Sequence, residues 1–360
     1  MNFEDENFII NPHFKFKEII SDKVEGYSVS SLFDIFIDND EEVILAMPYF
    51  DIKNPYSNDF NISLIRLKDN KEKMKLKGHI ARFKVIKCFY DKYTNKKYLV
   101  SSDRKNKVII WDINNNYNIV FENIFDYDKY INDLLMLFIN NQIYLVIASL
   151  SVNEATKVIN LDFSKEAKIN SIIELSESHG FPKFSLSYWL NEKSNTYYII
   201  QTGKNKILIT EYQNKEKYAE INTSNEYPNN ISSLVYKKYE NNFLLICSNF
   251  GLLIIYDLLN KNIFKEIKIE KAYLINIIKW NENYFVTIDA NKKSIVLIDM
   301  NCYKIINLVK IKEIFGHERF LKKVKHPIFG ESLISVGNDY KMKLYIDKNI
   351  EKNIKSFFNN

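Results

Sequence analysis

A pair of short apolar segments recurs along this chain of 360 residues. The clearest example is residues 98–113, YLVSSDRKNKVIIWDI, in which two apolar runs flank a polar turn and the second run ends in Trp-Asp. Apolar runs of this length, bounded by turn residues, are typical of paired β-strands. Comparable pairs end in an acidic residue at Asp112, Asp162, Glu211, Asp257, Asp299 and Asp347. The spacings of 50, 49, 46, 42 and 48 residues define a repeat.

Each repeat has room for four strands. A run with apolar residues on both faces of the expected strand precedes each pair, as in residues 83–90. A run in which apolar and polar residues alternate more regularly follows it, as in residues 118–124. Two-sided runs suit inner and middle strands, and alternating runs suit outer strands with one face in water. A further unit that ends with residues 61–67 brings the count to seven. Because repeats of about 40–50 residues with four strands are typical of propeller blades, we predict an all-β fold, a single seven-bladed β-propeller of four-stranded antiparallel blades.

The predicted propeller spans residues 14–347, between an N-terminal tail (1–13) and a C-terminal tail (348–360). Closing the ring requires one more strand in the last blade, since an unpaired strand edge is a liability. Two segments are candidates, FKFKEII (14–20) and NIKSFF (353–358). The first has the cleaner two-residue alternation, so we favour it as the closing strand.

The second repeat carries Gly78-His79 ahead of Trp111-Asp112, and Gly316-His317 opens the last repeat. On these residues the chain resembles the WD-repeat family, which has a Gly-His and a Trp-Asp in each blade. The resemblance implies that His79, Asp103 and Trp111 form a buried network that ties a turn to a strand. Other repeats replace Trp111 by Leu161, Thr210, Tyr256, Ile298 and Tyr345. We therefore expect apolar packing and strand pairing to hold most blades.

Composition and spacing exclude several classes of protein. The three cysteines, Cys88, Cys247 and Cys302, are far apart, which argues against a disulfide framework and for a reducing compartment. The acidic N-terminus does not resemble a signal peptide. Residues 131–150 and 243–259 are apolar but interrupted by polar residues, so we interpret them as strand pairs rather than membrane spans. These features predict an intracellular protein, in the cytoplasm or the nucleus.

Support for catalysis is weak. The five histidines have no metal-ligand spacing, and the chain contains no GxSxG, P-loop or HExxH motif. The acidic run Asp38, Asp40, Glu41 and Glu42 is interpreted as a solvated loop between strands. We expect no enzymatic activity, cofactor, metal site or small-molecule substrate.

The charges of the loops are more informative. In propellers of this family, the loops between the paired strands and the loops that carry Gly-His lie on one face. In this chain those loops are rich in Lys and Arg, whereas the opposite loops mix both signs, and the net charge is +5. Clustered cations attract anionic partners, and aromatic residues beside them can anchor a protein interface. The predicted partner-binding residues are Arg104, Lys105, Lys107, Lys204, Lys206, Phe250, Lys292, Lys293, Arg319, Tyr340 and Lys341.

We therefore expect an interaction scaffold or adaptor, a subunit of a multiprotein complex that binds an acidic protein segment on its basic face. The alternative is an RNA-binding protein, or a subunit of an RNA-modifying complex, that uses the same face. A third interpretation is that the Lys-rich loops reflect only the codon usage of an AT-rich genome. Phosphoinositide binding is not expected, because the FRRG pair of lipid-binding propellers is only vaguely matched, at residues 81–84. Salt dependence separates phosphate binding from apolar docking.

Overall fold

Seven four-stranded antiparallel sheets make up the fold. The computed structural model describes residues 16–23, 33–49, 60–69, 71–163, 168–175, 183–223, 230–238, 240–248, 250–269, 271–289, 291, 294–310, 320–327, 330–336 and 341–347. Within these ranges the one helix is a single 3-10 turn, Ile113–Asn115, so no described helix is long enough to cross a membrane. The predicted fold class, an all-β propeller with seven four-stranded blades, is confirmed.

The blades follow one another along the chain, after an N-terminal strand β1 (Phe16–Lys23). Blade 1 contains β2 (Asp34–Ile37), β3 (Val43–Tyr49), β4 (Phe60–Arg66) and β5 (Lys71–His79). Blade 2 contains β6 (Phe83–Asp91), β7 (Lys96–Asp103), β8 (Lys107–Asp112) and β9 (Asn118–Ile124). Blade 3 contains β10 (Ile131–Ile139), β11 (Gln142–Ser149), β12 (Thr156–Asp162) and β13 (Lys168–Leu175). Blade 4 contains β14 (Lys183–Asn191), β15 (Thr196–Gly203), β16 (Lys206–Glu211) and β17 (Lys217–Asn222).

The remaining three blades keep the same order of inner, second, third and outer strand. Blade 5 contains β18 (Asn230–Lys238), β19 (Asn241–Ser248), β20 (Leu252–Asp257) and β21 (Asn262–Lys268). Blade 6 contains β22 (Leu274–Lys279), β23 (Tyr284–Asp289), β24 (Ser294–Asp299) and β25 (Lys304–Lys310). Blade 7 contains β26 (Phe320–His326), β27 (Gly330–Val336) and β28 (Lys341–Asp347). The third strands of blades 2 to 7 end at the acidic residues that define the repeat, Asp112, Asp162, Glu211, Asp257, Asp299 and Asp347.

The outer strand of blade 7 comes from the other end of the chain. β1 pairs antiparallel with β28, with Phe16 opposite Asp347 and Lys23 opposite Lys341. β1 spans Phe16–Lys23, whereas the sequence predicted a closing strand over residues 14–20. The alternative segment, residues 353–358, and the two tails lie outside the described residues.

The apolar core is divided among the joints between neighbouring blades. Seven described clusters each join two adjacent blades, and in one of them Leu99 and Trp111 of blade 2 pack against Ile44 and Leu64 of blade 1. Because both faces of a middle strand are covered, β20 and β24 are buried along their whole length. This is why the third strands read as continuous apolar runs in the sequence.

Asparagine supplies many of the turn conformations for which glycine is usual. Eight of the fourteen described non-glycine residues with positive φ are asparagine, a residue that tolerates the left-handed region. Asn106, Asn205 and Gly251 hold equivalent positions just before the third strands of blades 2, 4 and 5, with φ of 60°, 58° and 80°. The carbonyl of each accepts a hydrogen bond from the backbone N–H that follows the outer strand of its blade, at 3.1, 3.0 and 2.8 Å.

Candidate functional site

The antiparallel blades place their loops on two faces of the ring. We call the upper face the one that bears the loops between second and third strands and the loops between consecutive blades. The lower face bears the loops between inner and second strands and those between third and outer strands. The predicted partner-binding residues that the structure describes belong to segments of the upper face.

A buried hydrogen-bonded network ties the upper end of blade 2 together. His79 Nδ1 lies 3.1 Å from Asp103 Oδ2, His79 Nε2 lies 2.5 Å from Ser101 Oγ, and the Trp111 ring centroid is 5.8 Å from that of His79. Ser, His and Asp in this order resemble a hydrolytic triad. All are buried, with Ser101 and Asp103 fully so, and no substrate could reach the hydroxyl. This buried network therefore stabilises the turn that follows β7.

The other residues of the repeat signature also have local roles. Gly78 has φ of 140°, and a Cβ there would lie 2.9 Å from Ile109 Cδ1. Asp112 accepts a hydrogen bond from the N–H of Asn114 and begins the 3-10 turn. Gly316 and His317 lie outside the described residues.

Asp103 also organises the loop that follows it. Its Oδ1 accepts hydrogen bonds from the backbone N–H groups of Lys105 and Lys107, at 2.9 and 3.1 Å. In blade 6, Asp289 Oδ1 accepts from the N–H groups of Tyr273 and Asn291, both at 3.1 Å. We did not predict this role for Asp289. The sequence feature that could have predicted this role is that β23, like β7, ends in an Asp just before a turn.

Several lysines of the upper face are already ion-paired. In three consecutive blades, a lysine at the start of the third strand contacts a glutamate of the outer strand. The pairs are Lys107–Glu122 at 3.0 Å, Lys157–Glu174 at 3.8 Å and Lys206–Glu220 at 3.2 Å. Lys107 and Lys206 are two of the predicted partner-binding residues, and the acidic groups of a partner would have to compete with these glutamates. Each has a neighbouring carboxylate because the third and outer strands pair side by side.

Other predicted residues are exposed. Arg104, Lys105 and Lys204 lie in loops before third strands, and their side chains form no ion pair with any residue in the described ranges. The Phe250 side chain is 47% exposed in the equivalent loop of blade 5. Lys341 begins β28, and its side chain lies outside the part of the chain that the structure describes. The remaining predicted residues, Lys292, Lys293, Arg319 and Tyr340, fall outside the described residues.

Lys183, which begins β14 at the upper end of blade 4, does not add to the exposed cations of the upper face. Its side chain is fully buried, and Nζ donates to the backbone carbonyls of Ser151 and Glu154 in the preceding blade. Burial lowers the pKa of the Lys183 amine to about 8. Lys183 thus fastens blade 4 to blade 3 and adds no charge to the surface.

Polar contacts link the inner strands around the central channel. Asp34 accepts from the Cys88 N–H at 2.8 Å, and Asp133 accepts from the Leu186 N–H at 2.7 Å. Every joint between adjacent inner strands has such a contact. The others are Lys87–Asp133, Ser187–Ser233, Ser232–Ile277, Asn276–Leu321 and Lys322–Asp34. The Asp34 and Asp133 carboxylates each have a lysine partner, and their contacts hold neighbouring blades together.

The acidic run of blade 1 is more ordered than expected. Asp38 is buried, and the Asp38, Asp40 and Glu42 carboxylates lie close enough together to hold a metal ion. Lys73 Nζ already contacts them, at 2.6, 2.5 and 3.2 Å respectively. Burial opposes the charge of Lys73, but hydrogen bonds to the three carboxylates raise the pKa of its amine. The lysine occupies the position of a cation, beside a cleft of about 230 Å³ on the lower face.

Comparison with known proteins identifies the fold. No family model matches the sequence, and no curated protein matches it. The β-propeller domain of Cps50 (Swd1) from Myceliophteria thermophila is similar, with a TM-score of 0.66 and 10% identity over 92% of this chain and 99% of that one. BBS1N, solved in complex with ARL6DN, has a TM-score of 0.63 and 10% identity over 92% and 97%. At this identity the likeness is one of fold alone.

Proposed function

We propose that this chain is a non-catalytic scaffold of the WD-repeat type that binds an acidic segment of a partner protein on its upper face. The observation that carries the proposal is a set of exposed cations in equivalent loops, Arg104, Lys105 and Lys204, which form no ion pair within the described residues. The exposed Phe250 ring lies in the next equivalent loop. An aromatic side chain beside cations is typical of a protein-binding centre.

The two similar propellers are consistent with this proposal. BBS1N is solved in complex with another protein, ARL6DN. In this chain, the buried Ser101–His79–Asp103 network supports both the resemblance to WD repeats and a structural rather than a catalytic role. An intracellular location would suit its cysteine content.

Affinity is expected to come from several contacts acting together. An exposed ion pair contributes about 0–1 kcal/mol, so three cations alone give weak binding. An aromatic anchor that becomes buried adds more, because such residues dominate interface energetics. The lysines tied to Glu122 and Glu220 contribute less, since a partner must compete with a carboxylate already in place.

Charge reversal tests the proposal. Arg104→Glu, Lys105→Glu and Lys204→Glu together should abolish capture of the partner from cell extract, with a nearly unchanged melting temperature, because these side chains form no ion pair within the described structure. Quantitative affinity capture with the full chain, analysed by mass spectrometry, provides the measurement.

The matched control reverses Lys96 and Lys193, two exposed lysines of the lower face. This variant should retain the captured protein partner. Loss of the partner in the control and its retention in the upper-face variant would show that the upper face is the wrong one. If the upper face bound an RNA instead, the logarithm of the affinity would fall linearly with the logarithm of the salt concentration.

A further inference from the structure

Exposed tyrosines gather on the lower face of blades 2 and 4. Tyr90 and Tyr93 in blade 2 and Tyr188 in blade 4 expose 54%, 63% and 46% of their surface. The Tyr188 ring lies 6.4 Å from the ring of Tyr197, with 24° between their planes, so the two make a continuous aromatic surface. We call Tyr90, Tyr93, Tyr188 and Tyr197 the tyrosine surface. A group of exposed aromatics is a stronger sign of binding than one exposed apolar residue.

The tyrosines of the two blades converge although blade 3 lies between them. Burial first, and then the nearby hydroxyls of Tyr93 and Tyr188, raise the pKa of Tyr197. Phe89 of β6, next to Tyr90, and Tyr197 of blade 4 pack against the same apolar cluster, which joins blades 3 and 4. The loop of blade 3 between them is short, with only the turn residues Asn140 and Asn141 between β10 and β11. Among the described residues, no loop of blade 3 longer than this turn separates the two groups, so a ligand could span them across it.

Positive charge surrounds the tyrosine surface. Lys92, Lys96 and Lys193 are exposed, and within the described chain none of their side chains forms an ion pair. The neighbouring acid, Glu192, is paired with Lys237 at 2.8 Å. The surface thus offers aromatic rings flanked by Lys96, Lys193 and Lys92, and Lys92 Nζ itself lies 5.1 Å from the centroid of the Tyr93 ring.

We propose that the tyrosine surface binds single-stranded nucleic acid. Unpaired bases stack on exposed aromatic rings, and flanking lysines neutralise the phosphates between them. An acidic peptide is the less fitting ligand, because its carboxylates would pair with the lysines and leave the grouped tyrosine rings without the stacking partners that unpaired bases supply. Stacking on tyrosine is tolerant of sequence, so we expect little base specificity. This binding is independent of the protein partner proposed for the upper face.

Fluorescence anisotropy with a labelled oligouridylate about 12 nucleotides long tests the proposal on the full chain. The wild type should bind, and its affinity should fall log-linearly with salt. Tyr93→Leu and Tyr188→Leu should each weaken binding about tenfold, whereas Tyr93→Phe and Tyr188→Phe should retain it, because the aromatic face and not the hydroxyl stacks. Lys92→Glu should lower the salt slope by about one.

Phe264→Leu is the matched control, since Phe264 is 49% exposed beside Lys265 on the outer strand of blade 5. It should leave binding unchanged, and melting curves of every variant should match the wild type. Three results would overturn the proposal. One is no salt-dependent binding of the oligonucleotide, and another is loss of binding only in the upper-face reversal of Arg104, Lys105 and Lys204. The third is polyglutamate binding as tight and as dependent on the tyrosines, which would assign the surface to acidic protein segments.

Discussion

Lys183 shows what a single side chain contributes when its charge is buried. Burial lowers the pKa of its amine from 10.5 to about 8, whereas the unfolded chain keeps the ordinary value. Between about pH 8 and 10.5 the unfolded chain therefore binds more protons than the folded one, and the free energy of unfolding should rise with pH. The slope has an upper bound of about 1.4 kcal/mol per pH unit.

The measurement is urea unfolding of the wild type and Lys183→Met at several pH values between about 8 and 10. The substitution removes the titrating amine but keeps an unbranched chain in its place. The difference in stability between the two proteins should shift in favour of the wild type as pH rises. Parallel pH profiles would show that Lys183 keeps an ordinary pKa in the folded protein.

The sequence shows the residue types of the upper face but not their neighbours. Arg104 and Lys107 look alike in the sequence, yet Arg104 is exposed and Lys107 contacts Glu122 on the adjacent strand. Lys183 is buried because it begins an inner strand against the loop of the preceding blade. Such differences depend on strand register and on contacts between blades, which a run of residues along the chain does not specify.

At the scale of elements, one left-handed residue sets the loop before the third strand in blades 2, 4 and 5. Gly251 has φ of 80°, and a Cβ there would lie 2.3 Å from the Ile269 carbonyl oxygen. Gly251→Ala should destabilise the protein by about 1–3 kcal/mol, because the strained conformation and the close contact both oppose a side chain. Thermal unfolding measures the effect.

The matched control is Asn205→Gly at the equivalent position of blade 4, where φ is 58°. Asparagine tolerates this conformation, so the substitution should change stability by no more than about 1 kcal/mol. Equal losses in the two variants would mean that the side chain of Asn205, and not the backbone conformation, holds its loop. The sequence has many asparagines and only 8 glycines, which suits turns of this kind, but it does not show which turn needs glycine.

At the scale of the whole molecule, the fold followed from periodicity because a blade is a local unit. Each four-stranded sheet other than the last is built from consecutive strands, so spacing along the chain reports its presence. The tyrosine surface was missed because Tyr93 and Tyr188 belong to different blades, and no sequence period brings them together. The polar contacts between inner strands join residues about one repeat apart. They escaped prediction because the repeat shows that two blades are neighbours but not which side chains meet between them.

The closing strand concerns the ring as a whole. Because β1 supplies the outer strand of blade 7, deletion of residues 1–25 should leave β28 with an unpaired edge and the ring open. We expect the melting temperature to fall by more than about 10 °C and the protein to aggregate. Differential scanning calorimetry and size-exclusion chromatography measure these effects, with deletion of residues 353–360 as the control. If the protein without residues 1–25 melts like the full chain, the ring does not depend on the pairing of β1 with β28. If deletion of residues 353–360 destabilises the protein equally, the C-terminal segment also contributes to closing the ring.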